Sequence, residues 1–299
     1  MIHAVVLGAA AGGGFPQWNS NAPGCRRARA GDAAARPRTQ TSLAVSVDRK
    51  RWTLLNASPD IRQQIDQTPM LWPVDGLRSS PIDAVVLTGG EVDTIAGLLT
   101  LRERHAFGLY ATAPVHAVLD ANPIFQVLAR DVVARQIVAL NEPVAIGGMS
   151  VTLFAVPGKV PLYLEQNDQP AIDLHDQTVG AAVSDGKSTL FFIPGCALMT
   201  PVLRERLRGA ETVLFDATLW LDDEMITSGL GPKTGSRMGH MSVSGPTGTL
   251  AAFEGLGVRR RILIHINNSN PVLLDDSPER AEAAAAGWEV AYDGMELSL

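Results

Sequence analysis

The 299-residue chain contains little cysteine, no long apolar run and no excess of basic residues. Cys25 and Cys196 are its two cysteines, so no disulfide framework is expected. No apolar stretch approaches the roughly 20 residues that a membrane-spanning helix requires. The formal net charge of -6 argues against a nucleic-acid-binding protein, which normally presents a basic face. These absences predict a cytoplasmic protein that binds neither nucleic acid nor membrane.

The first residues combine a short apolar run with a glycine-rich segment. Residues 2–7 lack the charged region and the long apolar core of a signal peptide, so they are predicted to form a strand. Gly12, Gly13 and Gly14 follow, which is one feature of a dinucleotide-binding turn. No long amphipathic helix comes after them, so a backbone turn with positive φ angles is the simpler interpretation.

Strand-like runs and helical patterns alternate along the chain. Hydrophobic residues make up 46% and charged residues 19% of the composition, which permits a large core. Two sets of predicted strands, each interleaved with helices, favour two β-sheets packed face to face with helices outside. This is an αββα sandwich of the α/β (α+β) class, and a doubly wound α/β sheet is the alternative. The absence of repeats, low-complexity segments and linkers predicts a single domain over residues 1–299.

Several local predictions concern elements that border the candidate ligands. Residues 82–88, 212–215 and 260–266 are apolar runs that are predicted to be strands. Residues 94–104 carry apolar side chains at the spacing of one helical face, and residues 131–138 are also predicted to be helical.

Acidic and histidine side chains follow these predicted strands, and rigid strand ends can hold metal ligands from distant parts of the chain. Glu91 and Asp93 have the alternative role of ordinary negative charges at a helix N-terminus. His240 has the alternative role of closing a loop. The candidate metal ligands are Glu91, Asp93, Asp216, His240 and His265.

Six blocks of sequence are spread over nearly the whole chain. They are GGGFPQWN (12–19), LLNASPDIRQQ (54–64), VPGKVPLY (156–163), IPGC (193–196), MGHM (238–241) and HINNSNP (265–271). Together they resemble the pyrroloquinoline quinone (PQQ) biosynthesis protein B family, a branch of the metallo-β-lactamase-like proteins. The resemblance implies the αββα fold of that superfamily.

The wider superfamily has a His-x-His-x-Asp-His loop after a strand, a later middle histidine, a bridging aspartate and a last histidine. The resemblance matches Asp93 to the aspartate of the loop, Asp216 to the bridging aspartate and His265 to the last histidine. The middle position falls within residues 156–159, which contain no histidine. Three histidine positions of the loop are occupied by other residues, namely Gly89, Glu91 and Thr94.

The resemblance implies an iron- and oxygen-dependent hydroxylase that acts on the tyrosine ring of a Glu-Tyr precursor in PQQ biosynthesis. Fe(II) is the expected cofactor, with Zn or Mn in the isolated protein. A mixed carboxylate and imidazole set suits non-haem iron better than a hydrolytic zinc pair, which needs several imidazoles. A carrier that transports PQQ or its precursor and a metal-dependent hydrolase are the alternatives. Other PQQ biosynthesis proteins and a second copy of the chain are the further partners left open.

Residues are also assigned to catalysis and to substrate binding. Asp93 and His240 are the predicted catalytic residues, and His240 acts as a ligand or a proton donor. Cationic side chains suit an acidic substrate, although salt bridges within the fold are the alternative for them. The predicted substrate-binding residues are Arg62, Lys159, Asn267 and Asn268.

The chain departs from the family pattern at two places. Thr94 stands where most relatives have histidine, and a neutral hydroxyl is the weaker ligand. Iron affinity or activity is therefore expected to be reduced unless His240 compensates. Ser20 and Ala22 replace two thiols of a cysteine cluster that looks like a structural zinc site, which leaves Cys25. One thiol cannot form a tetrahedral site, so no structural zinc is predicted, and a divergent paralogue with altered activity stays open.

Overall fold

The computed structural model describes residues 1–165 and 172–299 and contains two seven-stranded sheets. The first sheet consists of β1 (His3–Gly8), β2 (Ser42–Ser46), β3 (Trp52–Leu55), β4 (Ile82–Val86), β5 (Phe107–Ala111), β6 (Val133–Ile137) and β14 (Glu296–Ser298). The second consists of β7 (Pro143–Ile146), β8 (Met149–Gly158), β9 (Asp173–Ser184), β10 (Thr189–Ile193), β11 (Thr212–Asp216), β12 (Arg260–Ile264) and β13 (Trp288–Val290).

Both sheets are mixed. The strand order is β14-β1-β2-β3-β4-β5-β6 in the first sheet and β13-β12-β11-β10-β9-β8-β7 in the second. Strands β3 to β6 are parallel to one another, and so are β10 to β13. Because β11 and β12 are parallel neighbours, their carboxyl ends meet at one edge of the second sheet. That edge carries Asp216 and His265.

Helices connect the strands and cover the sheets. The α-helices are α1 (Pro23–Arg29), α2 (Ile61–Gln67), α3 (Val92–Ile95), α4 (Ala113–Ala121), α5 (Pro201–Leu207), α6 (Glu224–Thr227), α7 (Gly235–Met238), α8 (Thr249–Ala252) and α9 (Pro278–Ala285). The 3₁₀ helices are Pro69–Leu71, Ala96–Arg102, Pro123–Val127, Leu162–Leu164 and Pro271–Leu273. Among the described residues, no helix combines the length and the apolar character needed to cross a membrane.

Each sheet has an inner and an outer apolar face, because successive side chains of a strand point to opposite sides. Val6 of β1 and Ile262 of β12 belong to one cluster that lies between the two sheets. Their neighbours face outward. Leu7 packs in a cluster with Ile61 of α2, and Leu263 belongs to a cluster that includes side chains of α5 and α9. The predicted αββα sandwich is confirmed, and the doubly wound alternative is wrong.

The helix predicted over residues 94–104 is replaced by the short α3 and the 3₁₀ helix Ala96–Arg102. Gly97 explains the change. Its amide donates to the carbonyl of Ala57 at 2.8 Å, and the amide of Ala57 donates to the carbonyl of Thr94 at 2.9 Å. A Cβ at position 97 would lie 2.1 Å from the carbonyl oxygen of Ser58. The hydrogen bonds to Ala57 occupy the amide of Gly97 and the carbonyl of Thr94, which a regular helix would use for its own hydrogen bonds.

The helix predicted over residues 131–138 is wrong, because Val133–Ile137 forms β6. This strand pairs in parallel with β5, for example Val133 with Phe107. Val132, Val133, Ile137 and Val138 are β-branched, and such residues fit a pleated sheet better than a helix. The glycine-rich turn at the start of the chain is confirmed, since Gly13 and Gly14 have φ angles of 92° and 70°.

Candidate metal centre

Asp216 is the last residue of β11 and is fully buried. Its Oδ2 atom accepts a hydrogen bond from the amide of Cys196 at 2.9 Å. Its Oδ1 atom accepts bonds from the amide and the hydroxyl of Thr218 at 3.0 and 2.7 Å. Such donors fix the orientation of a buried carboxyl group. Asp216 is therefore a preorganised carboxyl group at the edge of the second sheet.

Two imidazoles lie beside this carboxylate. His240 Nδ1 is 2.6 Å from Asp216 Oδ2, and His265 Nδ1 is 3.9 Å from Asp216 Oδ1. The two rings are stacked, with centroids 5.2 Å apart and planes 18° apart. Asp216, His240 and His265 each offer one ligand atom, and these atoms lie within 4.8 Å of one another. Two imidazoles and one carboxylate at this spacing have the chemistry and the proximity needed to hold one metal ion.

His265 has an unusual backbone conformation for a residue with a side chain. It directly follows β12 and has a φ angle of 58°, in the left-handed region that most side chains disfavour. Hydrogen bonds hold the next two residues, from the amide of Ile266 to the carbonyl of Ala9 and from the amide of Asn267 to the carbonyl of Thr218. Strained residues of this kind cluster at functional sites.

Asp93 lies on the other side of the His265 ring. Its Oδ2 atom is 2.9 Å from His265 Nε2, whereas Asp216 faces Nδ1. Burial raises the pKa of Asp93, but the hydrogen bond to His265 and the charges of the two imidazoles hold it below its ordinary value. Burial lowers the pKa of His265, but the bond to Asp93 and the charges of Asp93 and Asp216 bring it above its ordinary value. The imidazole is thus held between two carboxylates.

Thr218 is at the centre of the site, and sequence reasoning did not identify it. Its Oγ1 atom lies 2.7 Å from Asp216 Oδ1, 3.0 Å from His240 Nδ1 and 2.9 Å from His265 Nδ1. A hydroxyl has one hydrogen to donate and two lone pairs to accept with. Thr218 therefore contacts all three neighbours and can donate its hydrogen to one of them at a time. The one sequence feature that could have indicated this role is its position two residues after Asp216.

Glu91 lies outside the group formed by Asp216, His240 and His265. Its Oε1 atom pairs with Lys159 Nζ at 3.1 Å, and its Oε2 atom accepts from the amide of Leu162 at 3.3 Å. Lys159 also pairs with Glu165 at 3.0 Å, and Glu165 pairs with Arg237 at 2.9 Å. The bond from Arg237 and the charge of Lys159 lower the pKa of Glu165 to about 2, against its burial. This charge network borders the cleft beside His240.

That cleft also contains Thr94, whose neutral hydroxyl is expected to be a weaker ligand than a histidine. Its wall includes Thr94, Lys159, Gln177 and His240. The buried Oε1 atom of Gln177 has no hydrogen-bond partner among residues 1–165 and 172–299. An unpaired buried acceptor in a cleft is a candidate contact for a ligand N–H or O–H group.

Within the described residues, one group of three or more potential ligands of the types histidine, cysteine, aspartate and glutamate comes together. That group is Asp216, His240 and His265.

A family model described as the beta-lactamase superfamily domain matches residues 51–266. Coenzyme PQQ synthesis protein B of Gluconacetobacter diazotrophicus is 61% identical over 306 residues, covering 100% of each chain. The chain belongs to the coenzyme PQQ synthesis protein B family. The Methylorubrum extorquens protein of the same name is 53% identical and also covers 100% of each chain.

Solved structures give the same family and fold. The crystal structure of Zn(2+)-bound PqqB from Methylobacterium extorquens has a TM-score of 0.97 at 53% identity, covering 99% of this chain and 100% of that chain. A diphosphatase of the PhnP family has a TM-score of 0.70 at 20% identity, covering 100% of this chain and 98% of the other. This second likeness shows the metallo-β-lactamase fold alone.

The residues predicted to bind substrate have partners within the fold. Arg62 is exposed on α2 and pairs with Asp66 at 2.8 Å, and it does not line the cleft beside His240. Asn267 Nδ2 donates to Ser269 Oγ at 2.6 Å. Asn268 is buried, and its amide group contacts residues of the N-terminal segment. Of the four predicted substrate-binding residues, Lys159 is the one that lines the cleft beside His240.

Cys25, which the resemblance assigns to a cysteine cluster, is fully buried in α1. Its Sγ atom lies 3.5 Å from Asn268 Oδ1. The thiol thus packs against the segment that follows His265. The prediction that this region holds no structural zinc stays a prediction.

Proposed function

We propose that the chain is a metal-dependent enzyme of PQQ biosynthesis and that Asp216, His240 and His265 hold its ion. The observation that carries this proposal is the group of two imidazoles and one carboxylate in a member of this family. The Zn(2+)-bound relative supports a metal as the resident cofactor. We also treat residues 1–299 as a single domain, because strands of both sheets contribute to the same inner core.

We propose Fe(II) as the physiological metal and hydroxylation of the tyrosine ring in a Glu-Tyr precursor as the reaction. Two histidines and one carboxylate form the ligand set associated with non-haem Fe(II) oxygenases, in which open positions accept oxygen and substrate. Bound Fe(II) would supply the redox chemistry with O2 that protein side chains lack. A hydrolytic zinc pair is less favoured, since it would need more imidazoles than the chain offers here.

In this proposal Asp93 orients His265. A proton on His265 Nε2 would be donated to Asp93 Oδ2 at 2.9 Å, which leaves the Nδ1 lone pair for the metal. Carboxylates that accept from the remote nitrogen of a metal-binding histidine fix its tautomer and its ring orientation. Direct ligation of the metal by Asp93, which the family resemblance implies, is the alternative. Metal titration of the Asp93→Asn variant distinguishes the two roles.

The cleft beside His240 is the proposed substrate site. Its wall contains a cation, Lys159 Nζ, and an acceptor, Gln177 Oε1, which has no hydrogen-bond partner in the described part of the chain. The Lys159 side chain is 10% exposed and already has two carboxylate partners, Glu91 and Glu165. An acidic substrate would therefore compete with Glu91, the more exposed of these partners at 38%. His240 is placed between the metal group and this cleft, as a proton donor or ligand would need to be.

The test is anaerobic reconstitution with Fe(II), followed by Glu-Tyr peptide, O2 and ascorbate as the electron donor, with the product analysed by mass spectrometry. The proposal expects a product that carries added oxygen on the tyrosine ring. It also expects no product from His265→Ala and normal turnover from His105→Ala, since His105 is exposed and does not belong to the metal group.

Three results would contradict the hydroxylase. Loaded protein that binds the peptide and leaves it unmodified would reject it, and tight binding of PQQ without turnover would favour a carrier. Cleavage of the peptide without O2 would favour a hydrolase.

A further inference from the structure

A second polar cleft is built from residues that take no part in the metal centre. It is open to solvent, has a volume of about 440 Å³ and is lined by Arg36, Arg38, Asp275, Arg280 and Tyr292. Three guanidinium groups thus surround one carboxylate. Arg36 and Arg38 precede β2, and the other three residues belong to the C-terminal part of the chain.

Arg38 is the deepest of these residues, with an exposure of 3%. Its Nε atom donates to the carbonyl of Ala291 at 3.0 Å, and its Nη1 atom donates to the carbonyls of Arg36 and Leu273 at 2.9 and 3.3 Å. Within residues 1–165 and 172–299, Arg38 has no ion-pair partner and its Nη2 atom has no hydrogen bond. Burying a cation without a paired anion is costly. Burial and the nearby Arg280 lower its pKa to about 10.

The two other arginines share one acid. Arg280 Nη2 lies 3.4 Å from Asp275 Oδ1, and Arg36 Nε lies 4.0 Å from Asp275 Oδ2. Asp293 is close to Arg38, but its two oxygens accept from the amides of Ala9 and Thr39 and from the Thr39 hydroxyl. The cleft itself therefore has three cations for one carboxylate, an excess of positive charge in a protein whose net charge is -6.

We propose that this cleft binds a small oxyanion that carries two or more negative charges. Guanidinium groups present paired N–H donors that match the oxygens of carboxylates and phosphates. The Nη2 atom of Arg38, which makes no hydrogen bond to the described residues, and the guanidinium of Arg280 would supply those donors. Arg36 would border the site on its solvent-exposed side. The Tyr292 ring, whose centroid is 5.8 Å from the Arg36 guanidinium, forms one aromatic wall of the cleft.

The test is isothermal titration calorimetry of the intact protein with citrate and, separately, with inorganic phosphate. Ionic strength is held constant with sodium chloride, because exposed charges are screened by salt. Saturable binding of one or both anions is expected. Saturable binding of citrate and not of phosphate would show that the site prefers carboxylates. Saturable binding of phosphate and not of citrate would show that it prefers phosphates.

The variant that tests the site is the double substitution Arg36→Gln and Arg280→Gln, which removes two donors and leaves the buried Arg38 in place. Its affinity should fall by about tenfold or more. The matched control is Arg208→Gln together with Arg51→Gln, two exposed arginines outside the cleft that change the net charge equally. Absence of saturable binding by the unmodified protein, or equal losses in both double variants, would overturn the proposal. Circular dichroism of each variant verifies that it is folded.

Discussion

The Nε2 atom of His265 lies 2.9 Å from the Oδ2 atom of Asp93, although 172 positions of sequence separate the two residues. This contact joins α3, which follows β4 of the first sheet, to the residue directly after β12 of the second sheet. It leaves the opposite ring nitrogen facing Asp216. The geometry makes Asp93 a partner of the histidine as well as a candidate ligand.

Changing Asp93 to Asn should weaken metal binding by about 10- to 100-fold while the stoichiometry stays at one ion, because an amide orients the imidazole less strongly than a carboxylate does. Anaerobic Fe(II) titration measures the affinity. Asp83→Asn, an exposed acid on β4, is the control with the same charge change. Complete loss of the bound ion in Asp93→Asn alone would instead make Asp93 a direct ligand.

Thr218→Val should lower metal affinity by about tenfold or more, since it removes the hydroxyl that contacts Asp216, His240 and His265 and keeps a similar side-chain volume. Thr218→Ser keeps the hydroxyl and should retain most of the affinity. The same Fe(II) titration compares the two variants. Equal affinities would show that the hydroxyl does not position the ligands.

Thr94→His should strengthen Fe(II) binding by about tenfold or more, and each factor of ten corresponds to about 1.4 kcal/mol. An imidazole is a better Fe(II) ligand than a neutral hydroxyl, and position 94 lines the cleft that His240 borders. Thr100→His, on the 3₁₀ helix Ala96–Arg102, is the control. Unchanged or weaker binding in Thr94→His would mean that the side chain points away from the metal or that His240 already fills the position.

Cys25→Ser should bind as much zinc as the unmodified protein, because one thiol cannot form a tetrahedral site. Elemental analysis of purified protein measures the content. His265→Ala supplies the comparison, since it removes a candidate ligand of the metal centre. Loss of one zinc equivalent in Cys25→Ser would show that the segment around this residue does hold a metal.

Glu165→Gln should destabilise the protein at pH 7 and much less so near pH 2. The pKa of Glu165 is lowered from 4.5 to about 2, so its ion pairs with Arg237 and Lys159 stabilise the fold above pH 4.5. That contribution is lost as the pH falls from 4.5 towards 2, because Glu165 binds a proton near pH 4.5 in the unfolded chain and only near pH 2 in the folded protein. Urea unfolding at several pH values measures the difference. A destabilisation that does not depend on pH would point to lost packing, and the exposed Glu205→Gln is the control.

Local patterns in the sequence were sufficient for the layered fold. In β1 the alternation of Val6 and Leu7 between the inner and outer clusters follows from the two-residue period of a strand. Asp216 and His265 could be placed at strand ends because the apolar runs before them predict strands. The strand within residues 131–138 could not be predicted from sequence, since a short β-branched run becomes a strand only when a neighbour such as β5 is available to pair with it.

The sequence by itself determined the family, the two-sheet architecture and the candidate acids and histidines, because these depend on residue types and their spacing. Only the tertiary structure decided which of them meet. It brought His240 to Asp216, directed Glu91 to Lys159 and put the Thr218 hydroxyl among the ligands. Such contacts depend on how strand ends and loops distant in sequence are brought together, and local periodicity carries no information about that.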